Sequence, residues 1–505
     1  MHEPERVESL FVTDKPAFTH RAYMLDVSRD RVPTMATLDW LVRVLGRLRF
    51  TELQLYIEHA FAYEGHDRVW RDASPLTAAE LRALAATCAT NGLELVANMN
   101  GFGHMDRWLK HDAYLPMAEC PEGAPAVFGG GTMPPTCLAP TSENAAFAVG
   151  LAREMLRAVG SSRIHIGADE PFELGEGWSA PLAAEHGRDR VYLQHLNRII
   201  EPLVADGKEV LFWGDLFRRD ASLLTDLVPG AVGVVWNYEA PGPTSLSAVL
   251  PADVMDRLGL PADAHLGFEA HARLFIESGR PFWVAPGTGT WNTILGRNGN
   301  AAGNIADAVS VGAAHGAAGF LLTDWGDNGH WQPLAVSLPS MVRASAAAWN
   351  GSAVAVPAVG PAIDELLRAA PGTGHLIDGL GRIGESLGAS VVNGSPVFGA
   401  LVKTALPTSG QPDRVAVAAA LGMLEEARYQ FGSGSSRTGD NTLHAEMLAA
   451  CGLARLGLER MAGREPPTAA FDTAVAQQRD AWLRSSRPGG LEDSLAKLNR
   501  PGVRG

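Results

Sequence analysis

The residues best suited to chemistry are Asp169 and Glu170, adjacent carboxylates in Arg163-Ile164-His165-Ile166-Gly167-Ala168-Asp169-Glu170-Pro171. The alternating β-branched residues before them suit a buried strand. Pro171 biases Glu170 away from helix, so the strand is expected to end near the acidic pair. Strand period puts His165, Gly167 and Asp169 on one face, with Glu170 able to turn towards the same cavity. Two close like charges each disfavour ionisation of the other. One of the pair is therefore expected to hold a proton near neutral pH, the division that general acid–base work needs. Taken alone, Asp-Glu reads equally well as a surface turn.

The elements that would position this pair recur along the chain. Residues 22–27 read as a strand ending in the polar turn Ser28-Arg29-Asp30-Arg31, and Leu38, Leu41, Val42, Leu45 and Leu48 follow at helical spacing. Further strands are expected at 53–58, 93–98, 210–215, 232–238, 282–286 and 319–325. Thr77-Ala78-Ala79-Glu80 gives a weak capping signal for one helix, and 147–159 reads as another. A Gly- and Pro-rich loop fills 116–140. With the strand before Asp169 this makes eight apolar strands, mostly separated by helices, and predicts an α/β chain with a (β/α)8 TIM barrel over residues 1–350. An open doubly wound sheet is the alternative, but its glycine fingerprint is missing after strand one. Asp26, Glu58, His104, Asp169, Glu170, Trp213, Asp215, Trp236, Tyr238, Asp324 and Trp325 all fall at or just after strand ends, the face that holds the active site in such barrels.

Beyond residue 350, Ala-, Leu- and Gly-rich segments at 363–369, 376–387, 415–429 and 443–461 predict a smaller all-helical C-terminal unit, 351–505, with no strand between its helices. It carries no acidic or aromatic cluster like the barrel's, so its expected role is support of the barrel or of an oligomer interface. Residues 485–505, polar with glycines and prolines, read as a loosely held tail.

Composition narrows the class. The chain has 505 residues, 46% hydrophobic and 19% charged, which is ordinary for a globular protein. A formal charge of −14 argues against a nucleic-acid partner. No run of apolar residues is long enough to cross a membrane, and residues 1–15 lack the apolar core of a secretory signal, so a cytoplasmic location is expected. Cys88, Cys120, Cys137 and Cys451 are too scattered for a disulfide framework or a zinc site, and idle thiols are favoured over a Cys120–Cys137 pairing. A metal site built from His104, His165, Asp169 and Asp324 lacks any close-spaced ligand pair, so neither metal nor other cofactor is expected.

His165-Ile166-Gly167-Ala168-Asp169-Glu170 resembles the His-x-Gly-Gly-Asp-Glu signature of glycoside hydrolase family 20, the β-N-acetylhexosaminidases, with Ala168 at the second glycine. The resemblance covers roughly residues 20–335. The segments 53–58 and 102–105 are most similar to the short, intracellular-type, hexosaminidase D-like branch of that family. It implies an exo-acting retaining enzyme that releases terminal β-linked GlcNAc or GalNAc from a glycan or glycoside. The substrate's own 2-acetamido oxygen would attack, through an oxazolinium intermediate. By resemblance Asp169 orients the acetamido nitrogen, while Glu170, with a raised pKa, acts as acid and then base. Adjacent carboxylates on one strand end cannot easily straddle a sugar, which fits this exception to the two-carboxylate rule.

The resemblance further implies that Arg21 holds the sugar's 3- and 4-hydroxyls and that Glu58 and His104 form a pair coupled to Glu170. Trp213, Trp236 and Trp325 would wall the sugar and its N-acetyl group, although each also reads as barrel packing. Asp327 stands where the family has a glutamate on the 4- and 6-hydroxyls, a shortening expected to alter tolerance of an axial 4-hydroxyl. The family's tyrosine after strand seven is missing from Gly287-Thr288-Gly289-Thr290-Trp291-Asn292, which leaves Tyr238 and Trp291 as weaker site candidates. A non-catalytic carbohydrate-binding barrel is the remaining alternative, as is a homo-oligomer to a monomer.

Overall fold

The computed structural model describes residues 14–499, apart from 30, 128–129, 219–221, 243–254, 256–259, 262, 353–357, 403–405, 407 and 434–440. The expectations for most of 1–15 and for 500–505 lie outside the described residues. Eight parallel strands close into a barrel, as the strand pattern predicts. They are β1 (His20–Asp26), β2 (Glu52–Ile57), β3 (Glu94–Met99), β4 (Arg163–His165), β5 (Glu209–Trp213), β6 (Ala231–Trp236), β7 (Phe282–Ala285) and β8 (Gly319–Asp324). Pairing of β1 with β8, Arg21 opposite Phe320, completes the ring.

Side-chain alternation sorts every strand into an inner and an outer set. Ala22, Met24, Leu211, Trp213, Val232, Val234, Trp283, Ala285 and Leu321 pack together inside the barrel. Tyr23, Leu25, Leu53, Leu55, Val210 and Phe212 belong to the larger core under the helices. The barrel floor carries a plug of charge. Arg163 donates to Glu52 at 2.6 Å, His20 contacts Glu52 at 2.7 Å, and the Arg163 guanidinium lies 5.2 Å over Trp283.

The surrounding helices follow from their patterns. In α1 (Met35–Arg47), Thr34 caps by accepting from Thr37 N, and Leu38, Leu41, Val42 and Leu45 form the buried stripe. α2 (Ala78–Thr90) opens with a full capping box between Thr77 and Glu80, a motif whose N-cap alone contributes ~1 kcal/mol. α3 (Ser142–Val159) begins earlier than its apolar pattern suggests and stops at Gly160 in the left-handed conformation. No helix among the described residues is long and apolar enough to cross a membrane. All four cysteines are free and buried.

Two sequence expectations for the C-terminal region need correcting. A two-stranded antiparallel pair, Ala389–Val391 with Thr408–Gly410, interrupts the helices. Such three-residue strands are too short to show a period in sequence. The described part of the expected loose tail, 485–499, is instead docked: α4 (Thr468–Ser485) runs into Ser486 and Arg487, and α5 (Leu491–Ala496) buries Leu491 and Leu495. Arg487 bonds Glu80 at 2.6 Å and the Pro75 carbonyl at 2.7 Å. The polar residues that suggested a tail are those contacts.

Candidate active site

The inner set of each strand delivers polar side chains at the carboxyl-terminal mouth. On β1 the parity of Ala22 and Met24 continues to Asp26, and on β2 that of Gln54 and Tyr56 continues to Glu58. Asp26 is fully buried and works as a bracket: Oδ1 accepts from Ser28 N at 2.9 Å and Arg29 N at 3.1 Å, and Oδ2 from Gly326 N at 3.0 Å. It thereby fixes the loop after β1 against the loop after β8. Burial pushes its pKa up to about 6, with Arg29 opposing.

β4 ends at His165, four residues before the pair, so the expected strand alternation through Gly167 and Asp169 does not occur. Gly167 (φ 70°), Ala168 (φ 70°) and Glu170 (φ 49°) instead adopt left-handed conformations, as does His104 (φ 52°). Such conformations in non-glycine residues cost energy and cluster where surrounding structure holds a functional group in place. The holding contacts are specific. Asn100 Oδ1 accepts from Ala168 N at 3.2 Å and from Phe102 N at 3.3 Å, while its Nδ2 donates to Asp169 Oδ1 at 2.6 Å. A Cβ at Gly103 would lie 2.3 Å from the Asp169 carbonyl oxygen, and one at Gly167 2.6 Å from the Asn100 amide carbon. The loops meet backbone to backbone at Gly103 and backbone to side chain at Gly167, closer than any Cβ would allow.

Asp169 and Glu170 share one imidazole. His104 Nε2 lies 3.3 Å from Asp169 Oδ2 and 3.5 Å from Glu170 Oε2. On the other side of the ring, Arg29 Nη2 is 3.1 Å from Nδ1. Nδ1 thus faces the guanidinium and Nε2 the two carboxylates, so the ring lies between a cation and a pair of anions. Burial resists charging of His104, but Asp169 and Glu170 outweigh it and hold its pKa well above the ordinary value. For Asp169, burial pushes the pKa up and His104 more than reverses it, leaving the carboxyl below its usual range. The two carboxylates differ in access, with side-chain exposures of 9% for Asp169 and 29% for Glu170.

Arg29 ties the mouth together. It pairs with Asp327 at 2.5 Å and with Glu58 at 3.4 Å, and its guanidinium covers the rings of Trp325 (5.1 Å) and Tyr56 (5.6 Å). Glu58 accepts from Tyr56 OH at 3.0 Å. Glu58 and His104 are therefore joined through Arg29, and the expected pairing of the two side chains with each other is replaced by this bridge.

Arg21 is the clear correction. It sits near the start of β1, five residues before Asp26, which at ~3.3 Å per residue is roughly 16 Å from the mouth. Its odd position also turns it outward. The guanidinium bonds the Phe18 and Arg49 carbonyls and stacks 5.1 Å over Trp349 of a peripheral helix. Arg29 occupies the mouth instead. The sequence carried the signal in the turn Ser28-Arg29 after the strand, the end where barrel sites lie.

The aromatic candidates form two tiers. Trp236 and Tyr238 stack at 5.2 Å, both half-buried at the opening, and Trp236 Nε1 donates to Asp215 at 3.4 Å. Asp215, placed at a strand end by the sequence but given no role there, also accepts from Glu170 N at 3.4 Å; Tyr56 and Asn100 are neighbours of the pair that the sequence did not single out. Trp325, 5% exposed, meets Tyr56 edge-on and donates Nε1–H to Tyr238 OH at 2.9 Å. Trp213 (0% exposed) and Trp291 (2%) lie behind them, Trp213 against His165 and Trp325, Trp291 against Tyr238. Trp213, expected as a wall of the opening, and Trp291, the weaker candidate, are both corrected to backing for the rings that face it.

The metal candidates divide. Asp324 is consumed by Tyr23 OH (2.6 Å), Thr290 (2.7 Å) and Thr288 (2.9 Å), and His165 Nδ1 accepts from Gly167 N at 3.0 Å, so the set that the sequence disfavoured does not converge. Burial lowers the His165 pKa to about 3. A different trio does converge: ligand atoms of His104, Asp169 and Glu170 lie within 4.8 Å of one another. That spacing suits a divalent ion or a proton-sharing cluster. The Arg29 cation on the far side of His104 favours the proton.

No family model matches the sequence. The chain is similar to Hexosaminidase D of Homo sapiens, 26% identical over 232 residues, covering 44% of this chain and 46% of that protein. Hexosaminidase D of Bos taurus is 27% identical over 209 residues, 40% of this chain and 57% of that one. The aligned stretch thus spans about half the length of these relatives. In fold, the chain is similar to the chitobiase of Flavobacterium johnsoniae, with TM-score 0.51, 15% identity, and coverage of 95% of this chain and 78% of that one. It is also similar to the GH20 exo-β-N-acetylglucosaminidase of Vibrio harveyi, with TM-score 0.50, 13% identity, and coverage of 66% and 55%. The assignment is hexosaminidase-like in sequence and GH20-like in fold.

Proposed function

We propose that the chain is an exo-acting, retaining β-N-acetylhexosaminidase that uses its substrate's 2-acetamido group as nucleophile. One observation carries the reading: Asp169 and Glu170 share the His104 imidazole from the same side, at 3.3 and 3.5 Å, while differing in depth and partners. Carboxylates that flank a scissile bond from opposite faces, about 5–5.5 Å apart, suit direct attack by one of them. A pair on one side suits a nucleophile that the substrate brings.

Each residue then has a task. Asp169, backed by Asn100 and favoured in its charged form, accepts the acetamido N–H and stabilises positive charge as the carbonyl oxygen bonds to the anomeric carbon. Glu170 reaches the opening and gives its proton to the departing glycosidic oxygen as that C–O bond breaks. It then takes a proton from the water that opens the oxazolinium ring, so the product keeps the β configuration. Arg29 and Asp327 present a donor fork beside an acceptor, suited to adjacent sugar hydroxyls, with Trp236, Tyr238 and Trp325 as the apolar wall. Terminal GlcNAc or GalNAc is the substrate class, in a cytoplasmic setting.

The test is hydrolysis of paired nitrophenyl β-GlcNAc and β-GalNAc glycosides beside the β-glucoside, which lacks the acetamido group. Release from the N-acetyl substrates with the glucoside inert is the expected result. Equal rates on all would end the substrate-assisted reading, and no release from any, with sugar still bound, would leave a carbohydrate-binding barrel.

A further inference from the structure

Outside the site, buried contacts of the C-terminal helices converge on the two loops that carry Arg29 and Asp327. Two residues after Arg29, the side chain of Arg31 turns away from the mouth and is 6% exposed. Its Nε donates to Ser486 Oγ at 2.8 Å and its Nη2 to Ser485 Oγ at 3.0 Å and Glu446 Oε1 at 3.2 Å. The guanidinium lies 4.9 Å over Trp482. Backbone bonds run alongside, from Arg487 N to the Val32 carbonyl at 2.8 Å and from Thr34 N to the Ser485 carbonyl at 2.9 Å. The β1 loop is thus pinned on its outer side by residues 446 and 482–487.

The β8 loop is held from the same region. Ser494 Oγ donates to the Gly329 carbonyl at 2.6 Å, two residues after Asp327. Arg31 Nη1 also donates to the Gln332 carbonyl at 3.0 Å, and Gln332 Nε2 to the Trp325 carbonyl at 2.9 Å. One buried guanidinium therefore touches both loops, and α5 closes on the second.

We propose that residues 482–494, through Arg31 and Ser494, are a positioning element that sets the spacing of Arg29 and Asp327 and hence recognition of the sugar hydroxyls. This rests on the hydroxyl-binding role proposed above for that pair. Neither Arg31 nor Ser494 reaches the opening, so both act through the loops they hold. Loosening them should weaken ground-state binding and blur the choice at the 4-hydroxyl, with only a small effect on turnover passed through the Arg29–His104 contact, because Asn100 holds Asp169 and Asp215 holds Glu170 from other strands.

The experiment compares Arg31→Lys, which keeps charge and loses the fork, and the milder Ser494→Ala with the wild-type full chain. Kinetics on the GlcNAc and GalNAc aryl glycosides are paired with hydrogen–deuterium exchange of 26–34 and 326–332. The expected result is KM higher by roughly tenfold, below the ~10²-fold that a 1 Å misplacement can cost, with kcat within about threefold, a shifted GlcNAc/GalNAc ratio and faster exchange in both loops. Unchanged exchange and KM in Ser494→Ala, or a kcat loss at constant KM, would overturn the proposal. Should the wild type cleave no N-acetylhexosaminide while both loops exchange faster in the variants, the hydrolase reading falls and the positioning role of the helices stands.

Discussion

Arg29 and Asp327 form an ion pair across the seam of the barrel, at 2.5 Å, joining the loop after the first strand to the loop after the last. The same guanidinium reaches Glu58 and His104, so one cation connects the hydroxyl-binding side of the mouth with the proton-transfer side. Drawing a charge partly out of water is tolerable only when partners surround it, and the loops after the second, third and eighth strands supply them.

The first consequence concerns the two arginines. Arg29→Lys should raise KM for N-acetylhexosaminides and lower turnover, because an ammonium cannot replace a fork held by Asp327, Glu58 and His104 together. Arg21→Lys should leave KM near wild type and lower Tm instead, since its contacts are carbonyl caps on the barrel's far end. Steady-state kinetics and melting curves on both variants check this, and a KM effect from Arg21 would contradict the assignment.

The adjacent carboxylates should separate by leaving group. Glu170→Gln is expected to lose roughly 10²–10⁴-fold on substrates with poor leaving groups and less on activated aryl glycosides. Asp169→Asn should slow ring closure whatever the leaving group, because it removes charge from beside the forming oxazolinium. A thiazoline mimic should bind wild type strongly and the Asp169 variant weakly. Identical leaving-group slopes for both variants would sink this division.

Glu58 gives a pH prediction. Burial pushes its pKa up to about 7, Arg29 and His104 opposing. A carboxyl that holds its proton more tightly folded than unfolded contributes stability that is full below its ordinary value near 4.5 and is lost as pH rises through about 7. Asp26, raised to about 6, acts with the same sign. Wild-type Tm should therefore decline between pH 5 and 8 by more than that of Glu58→Gln. A steeper decline in the variant would refute the assignment.

Activity should persist after exhaustive chelation, because the Arg29 cation beside His104 opposes a divalent ion at the His104–Asp169–Glu170 cluster. Loss of activity, restored by adding back zinc or manganese, would reinstate the metal reading.

Much of this was written in the sequence because it is local. Eight apolar runs with intervening helical stripes determine a barrel, and the rule that barrel sites lie at carboxyl strand ends gathers Asp26, Glu58, His104 and Asp169 from the chain alone. Even the error at Arg21 was correctable there, since strand parity from Asp26 back through Met24 and Ala22 turns Arg21 outward. What the tertiary structure alone decided is non-local. The left-handed turn from Gly167 to Glu170 exists because Asn100, from a different strand, satisfies Ala168 N and Asp169 at once. The docking of residues 485–496 depends on partners up to 455 positions away, as Ser486 with Arg31, and no local pattern marks such a pairing. Local propensity and alternation are properties of neighbours in the chain. The spacing of Arg29 from Asp327, and the shared imidazole between two carboxylates, are set by hydrogen bonds between segments that meet only when the barrel closes.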